Sequence, residues 1–273
     1  MFKQKRASRD FNKADLPSNR KEVFFDRFKN QYGVFFKTGL TLFLFFIPFL
    51  IVGFLKDYSL WYHASRGDFS IADYNQMQIL YALIKIPVYI IIALGCAGSF
   101  RVMKNLAWEI PVFFKEDFLE GIKKNAKSFI VVFVSFSVIS VLCELTLTAS
   151  NIPELVRYLP SGILVGLVLP MALTSLNIFN LYNATFLEAC KLSLRFFFGK
   201  TFKSILALLG VCAPFLILLI NNFVIKYILF IPVVIFILPC SILTWFLYCC
   251  YLFDYFMNKN TYPEIYDKGV YRK

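Results

Sequence analysis

Six runs of predominantly apolar residues, divided by shorter polar stretches, set the rhythm of the chain. A helix that crosses the hydrocarbon core needs about 20 such residues. The runs at 39–55, 79–100, 129–149, 162–182, 205–220 and 227–253 meet or approach that length. They predict an all-α integral membrane bundle of six transmembrane helices. The first and fifth runs are short, so their helices are expected to begin in the amphipathic segments before them. Prolines 48, 87, 170, 214, 232 and 239 fall inside the runs; in a bundle they read as kinks whose freed carbonyls are satisfied by neighbours. Residues 1–38 form a polar, basic tail and 254–273 a C-terminal tail. Residues 1–22 or so hold little apolar surface and are expected to be disordered. The first apolar run starts too far along the chain for a cleavable signal sequence.

Two of the polar stretches have a pattern of their own. After Pro111, Asp117-Phe-Leu-Glu120 fits a capping box, with an N-cap acceptor and Glu three residues later. Phe118, Ile122, Ala126 and Phe129 then recur at spacings of four, four and three, with Lys123, Lys124 and Lys127 on the other face. This predicts an amphipathic helix that feeds into the third span and lays its basic face at the headgroups. Thr185-Phe-Leu-Glu188 repeats the box before the fifth span, with Lys191, Arg195, Lys200 and Lys203 among apolar residues and Gly199 as the expected break. The echo is compatible with a weak internal repeat or with coincidence.

Composition agrees with a polytopic protein. The chain of 273 residues is 59% hydrophobic and 17% charged, against roughly half and a quarter in a soluble domain. The net charge of +12 is read by its location. The tail to Thr38, the stretches 101–128 and 183–204 and the end after Phe253 hold ten, six, four and four Lys and Arg. The other three connections hold only Lys56, Arg66, Arg157 and Lys226. By the positive-inside rule both termini and the two central basic loops face the cytoplasm, and the chain resides in the plasma membrane. The basic residues then meet an anionic inner leaflet, and nucleic acid is not the expected partner.

Candidate chemistry is sparse. The seven cysteines show no CxxC or Cys/His grouping, His63 is the single histidine, and no glycine-rich nucleotide motif occurs, so no metal, cofactor or catalytic residue is expected. Lys85 and Glu144 are ionisable groups inside spans, costly unless paired or snorkelling. Each lies about 8–9 Å from the outer end of its apolar run at 1.5 Å per residue, so they are candidates for an intramembrane ion pair. Asn177 and Asn180, at i and i+3 on the fourth span, are candidates for interhelical hydrogen bonds. Trp61 and Tyr62 read as an interfacial belt. The tripeptide Arg66-Gly67-Asp68 and the sequon Asn183-Ala-Thr185 are short enough to arise by chance.

Gly95-Cys-Ala-Gly98, Arg101-Val-Met-Lys104, Trp108-Glu109 and Asp117-Phe-Leu-Glu-Gly-Ile-Lys-Lys-Asn125 resemble the central signature of the YesL-like bacterial membrane proteins, a domain-of-unknown-function family. Pro48, Gly53 and the stretch 187–194 also fit, while Thr41 to Phe45 depart from the family's first span. The resemblance implies a link to carbohydrate uptake and carries no catalytic residue. An accessory or regulatory component is therefore expected, docking an importer subunit of the ABC class or another membrane protein. Trp108, Glu109, Phe113, Phe114, Asp117, Phe118, Lys123 and Lys124 are its candidate docking residues, the aromatics for apolar contact and the lysines for orientation. A solute transporter in its own right is the alternative. An importer permease is disfavoured, because Glu188-Ala-Cys190 is followed by Leu194 where such a docking loop needs glycine. A membrane enzyme is not expected.

Overall fold

A computed structural model describes residues 16–67, 70–148 and 153–271. The first 15 residues of the tail and Asp68 lie outside them. Every regular element among the described residues is helical. In chain order they are α1 (Arg20–Asn30), α2 (Tyr32–Arg66), α3 (Ile71–Ala107), α4 (Phe114–Thr148), α5 (Glu154–Ile163), α6 (Leu169–Leu181), α7 (Phe186–Gly199), α8 (Thr201–Cys212), α9 (Phe223–Pro232) and α10 (Leu238–Phe253). A π turn, Leu164–Val168, joins α5 to α6, another, Val233–Ile237, joins α9 to α10, and a third, Asp254–Asn258, continues α10 into a short turn, Lys259–Thr261. A 3-10 turn, Ala213–Leu219, extends α8. Among the described residues six helices are long and apolar enough to cross a membrane, the expected number.

The helices outlast the apolar runs that predict them. α2 and α4 each reach 35 residues and α3 reaches 37. α3 is the central helix, packed along its length on α4 and also against α2, α10 and α6. Small residues set these approaches. A Cβ on Gly121 of α4 would lie 2.7 Å from the Ala97 carbonyl oxygen and 3.0 Å from Gly98 Cα of α3. A Cβ on Gly95 or Gly98 would run into Phe45 or Phe118 respectively.

Four of the six in-span prolines show two settings. Pro48 and Pro87 sit within continuous α-helix. Pro170 and Pro239 each follow a π turn that contains the residue four before them, Gly166 and Ile235. A proline ring clashes with that carbonyl and offers it no N–H, and the wider turn moves the carbonyl aside. The Ile235 carbonyl so displaced faces Gly39 of α2, where a Cβ would come within 1.7 Å of the oxygen.

One expectation about the loops changes. Asp117 is not an N-cap. α4 begins at Phe114, and the Asp117 carboxylate, inside the first turn, accepts from the Phe113 backbone N–H at 2.9 Å and from Asn105 Nδ2 at 2.9 Å. Pro111 keeps α3 from continuing, and the next helix starts four residues earlier than an N-cap at Asp117 would place it. Glu120 turns to Arg101 at 2.9 Å and Lys124 at 2.5 Å instead. The second box does form, with Thr185 and Glu188 exchanging side-chain-to-backbone bonds at the start of α7. α7 ends at Gly199, where a Cβ would meet Phe256 at 2.4 Å.

Candidate functional site

The polar side chains concentrate at the two ends of the bundle. One end carries the stretch 108–113, α7 and both described chain ends, and is called here the basic end. The helix α1, which the hydropathy pattern does not single out, lies across it. Asn19 caps α1 by accepting from Glu22 N–H at 3.0 Å. Val23 and Arg27 are its buried positions.

From α1 two guanidinium groups reach into the bundle. Arg20 donates to Asp254 at 2.6 Å and to the Lys268 carbonyl at 2.7 Å. Asp254 also accepts from Asn258 at 2.8 Å, and Asn258 from the Tyr182 hydroxyl at 2.6 Å. Arg27 donates to Asp26 at 2.7 Å and to Glu109. Glu109 accepts in addition from the Tyr271 hydroxyl. Burial alone would raise the Glu109 carboxyl, but the hydrogen bonds from Tyr271 and Arg27 outweigh it and hold the group below the usual carboxylate range. The same contact raises the Tyr271 phenol.

The C-terminal segment closes over the loop. Lys268 Nζ stands 4.5 Å above the Trp108 ring, and Lys104 Nζ lies 5.6 Å from it. Phe246 packs beside the ring at 6.3 Å. Gly269 has φ +81°, and a Cβ there would come 2.3 Å from the Ala107 carbonyl oxygen. Tyr271 N–H donates to the Pro17 carbonyl at 2.9 Å, so the segments at the two ends of the described residues meet.

The eight expected docking residues therefore separate. Trp108, Glu109, Asp117 and Phe118 are used within the fold: Phe118 is buried against Gly98, Phe45 and Phe114. Phe114 stacks on Phe118 and is half-buried. Phe113, at 67% exposure, points outward together with Lys123 and Lys124, and Leu119 joins them.

Beneath this cap lies a buried amide layer. Asn180 accepts from Asn125 Nδ2 at 3.2 Å and donates to the Phe100 carbonyl at 2.9 Å, tying α6 to α4 and α3. Lys104 Nζ donates to the Asn180 carbonyl at 3.4 Å. Asn177 turns the other way, to Leu173 O at 3.0 Å and Cys249 Sγ at 3.4 Å, and its Oδ1 has no partner among the described residues. Asn125 and Lys104 are the members of this layer that hydropathy hides, because α3 and α4 continue into the polar stretch 101–128 and bury these two positions there.

At the opposite end Lys85 Nζ lies 2.5 Å from Glu144 Oε1, joining α3 to α4. A second pair stands near it. Lys226 and the Tyr227 hydroxyl both donate to Asp57, the latter at 3.0 Å. The sequence does not single out Asp57 or pair it with Lys226; their signal is that each borders an apolar run on the same side as Lys85 and Glu144. Trp61, Tyr58 and Phe223 form an aromatic belt at this end. Thr185 of the sequon is occupied as the α7 cap.

No group of three metal-ligating side chains occurs among the described residues. Comparison of the chain with protein-family models, curated proteins and solved structures finds no match.

Proposed function

We propose that this multi-pass protein is an accessory component of the plasma membrane, with both termini cytoplasmic, that docks another membrane protein through the outer face of its first basic loop. The placement of that loop carries the reading. Its inner residues, Trp108, Glu109 and Asp117, are tied to α1, the C-terminal segment and α3, so Phe113, Leu119, Lys123 and Lys124 stand outward on a fixed mount. A rigid aromatic anchor with charges around it suits recognition, because little side-chain and loop entropy is left to lose on binding. The intramembrane polar groups mostly satisfy one another, which suits support better than transport. The Lys and Arg distribution supports the orientation.

The link to carbohydrate uptake rests on the resemblance of residues 95–125 to the YesL-like proteins, and it makes an importer subunit of the ABC class the partner to look for. The test is crosslinking in the membrane followed by detergent purification. Recovery of an importer subunit, lost in Phe113→Ala/Leu119→Ala, is the expected result. A protein that purifies alone and moves a labelled sugar into liposomes would overturn the reading in favour of a transporter.

A further inference from the structure

A cleft of about 1050 Å³ opens between α1, α8, α10 and the C-terminal segment. None of residues 108–127 lines it, so it is separate from the docking face. Thr244, Leu247, Tyr248, Tyr251 and Tyr255 line it at i, i+3, i+4, i+7 and i+11, which is one face of α10 and its continuation over about 16 Å. Ala207 of α8 and Phe24 of α1 stand at its sides. Thr244 and Ala207 belong to spanning helices, whereas Ser18 and Lys21 belong to the cap. The cleft therefore runs from hydrocarbon depth to headgroup depth, and tyrosine rings are at home on that boundary.

Its rim is cationic. Lys21 and Lys259 line it. Lys203 Nζ is 3.2 Å from the Tyr251 hydroxyl, and Lys200 Nζ is 4.2 Å above the Tyr255 ring. Among the described residues none of these four ammonium groups is in ion-pair contact with a carboxylate. Two carboxylates border the cleft, and one of them, Asp254, is matched by Arg20.

We propose that this cleft holds one anionic phospholipid of the surrounding leaflet, with an acyl chain along the α10 face and the phosphate among Lys21, Lys200, Lys203 and Lys259. A soluble anion would have no use for the apolar length of the floor. A zwitterionic lipid would leave the excess positive charge unmatched. Basic pockets between spanning helices are where anionic headgroups lodge.

The test is native mass spectrometry of the full chain in mild detergent, titrated with phosphatidylglycerol, phosphatidylcholine or inorganic phosphate. One phosphatidylglycerol is expected to bind, in preference to phosphatidylcholine. Each lysine near the phosphate is worth roughly fivefold in affinity, so Lys200→Gln/Lys203→Gln is expected to weaken binding about twenty- to thirtyfold. Ala207→Trp, which fills the deep end, is expected to abolish it, while Lys115→Gln/Lys127→Gln leaves it unchanged. If Ala207→Trp does not fold, the lysine variant decides alone. Equal binding of the two lipids, undiminished binding in Lys200→Gln/Lys203→Gln, or millimolar phosphate binding that Ala207→Trp leaves intact would each overturn the proposal.

Discussion

Two single residues decide how the C-terminal segment sits. Gly269 adopts a left-handed φ against the Ala107 carbonyl, so Gly269→Ala adds both backbone strain, about 1–3 kcal/mol, and a collision. Faster amide exchange across residues 263–271 is the expected result, with the spans unaffected. Glu109 holds the same segment by charge. Its folded carboxyl lies below the ordinary value, so its contribution is fully present above a pH of about 4.5. That contribution is lost as the pH falls through the lower folded value. Exchange of the segment should therefore rise on acidification in the wild type. In Glu109→Gln it should be raised already at neutral pH and vary less with pH. At the opposite end, Glu144→Lys should destabilise the protein by leaving Lys85 beside a like charge, and Lys85→Glu in the same chain should restore much of the loss; thermal melting in detergent reads both.

At the level of elements, the interplay of proline and glycine is the sharpest feature. Pro239 opens the π turn, and the displaced Ile235 carbonyl is pressed against Gly39. Gly39→Ala places a Cβ on backbone atoms that cannot turn aside, unlike a flexible side chain, and is expected to lower the melting temperature more than Gly210→Ala, where a Cβ meets nothing within 4 Å. The cap on α7 is the ordinary kind, and Thr185→Ala should cost about 1 kcal/mol. Much of this was within reach of the sequence. The box at Thr185 and the break at Gly199 were legible because each depends on a few neighbouring residues. The start of α4 was misplaced because the Asp117 side chain reaches back to Phe113 and across to Asn105, and a partner on another helix leaves no local trace. α1 escaped notice for a related reason: RKEVFFDRFKN is mostly polar, and its buried arginine pairs, beyond the adjacent Asp26, with Glu109, 82 residues away.

At the scale of the whole molecule, the spans were legible because the bilayer sets a length that 20 apolar residues announce. The packing of both chain ends over the first basic loop was not, since it is built from ion pairs between distant segments with little hydropathy signal. That packing turns a loop that reads as one aromatic surface into two faces, an inner one occupied by Lys268 and Tyr271 and an outer one centred on Phe113. The most direct test is photo-crosslinking in intact cells from a reactive analogue placed at Phe113 or, separately, at Trp108. The expected result is a discrete adduct with another membrane protein from position 113 and only an intramolecular link to the C-terminal segment from position 108. Lipid adducts alone from position 113, or the same foreign protein captured from both positions, would contradict it.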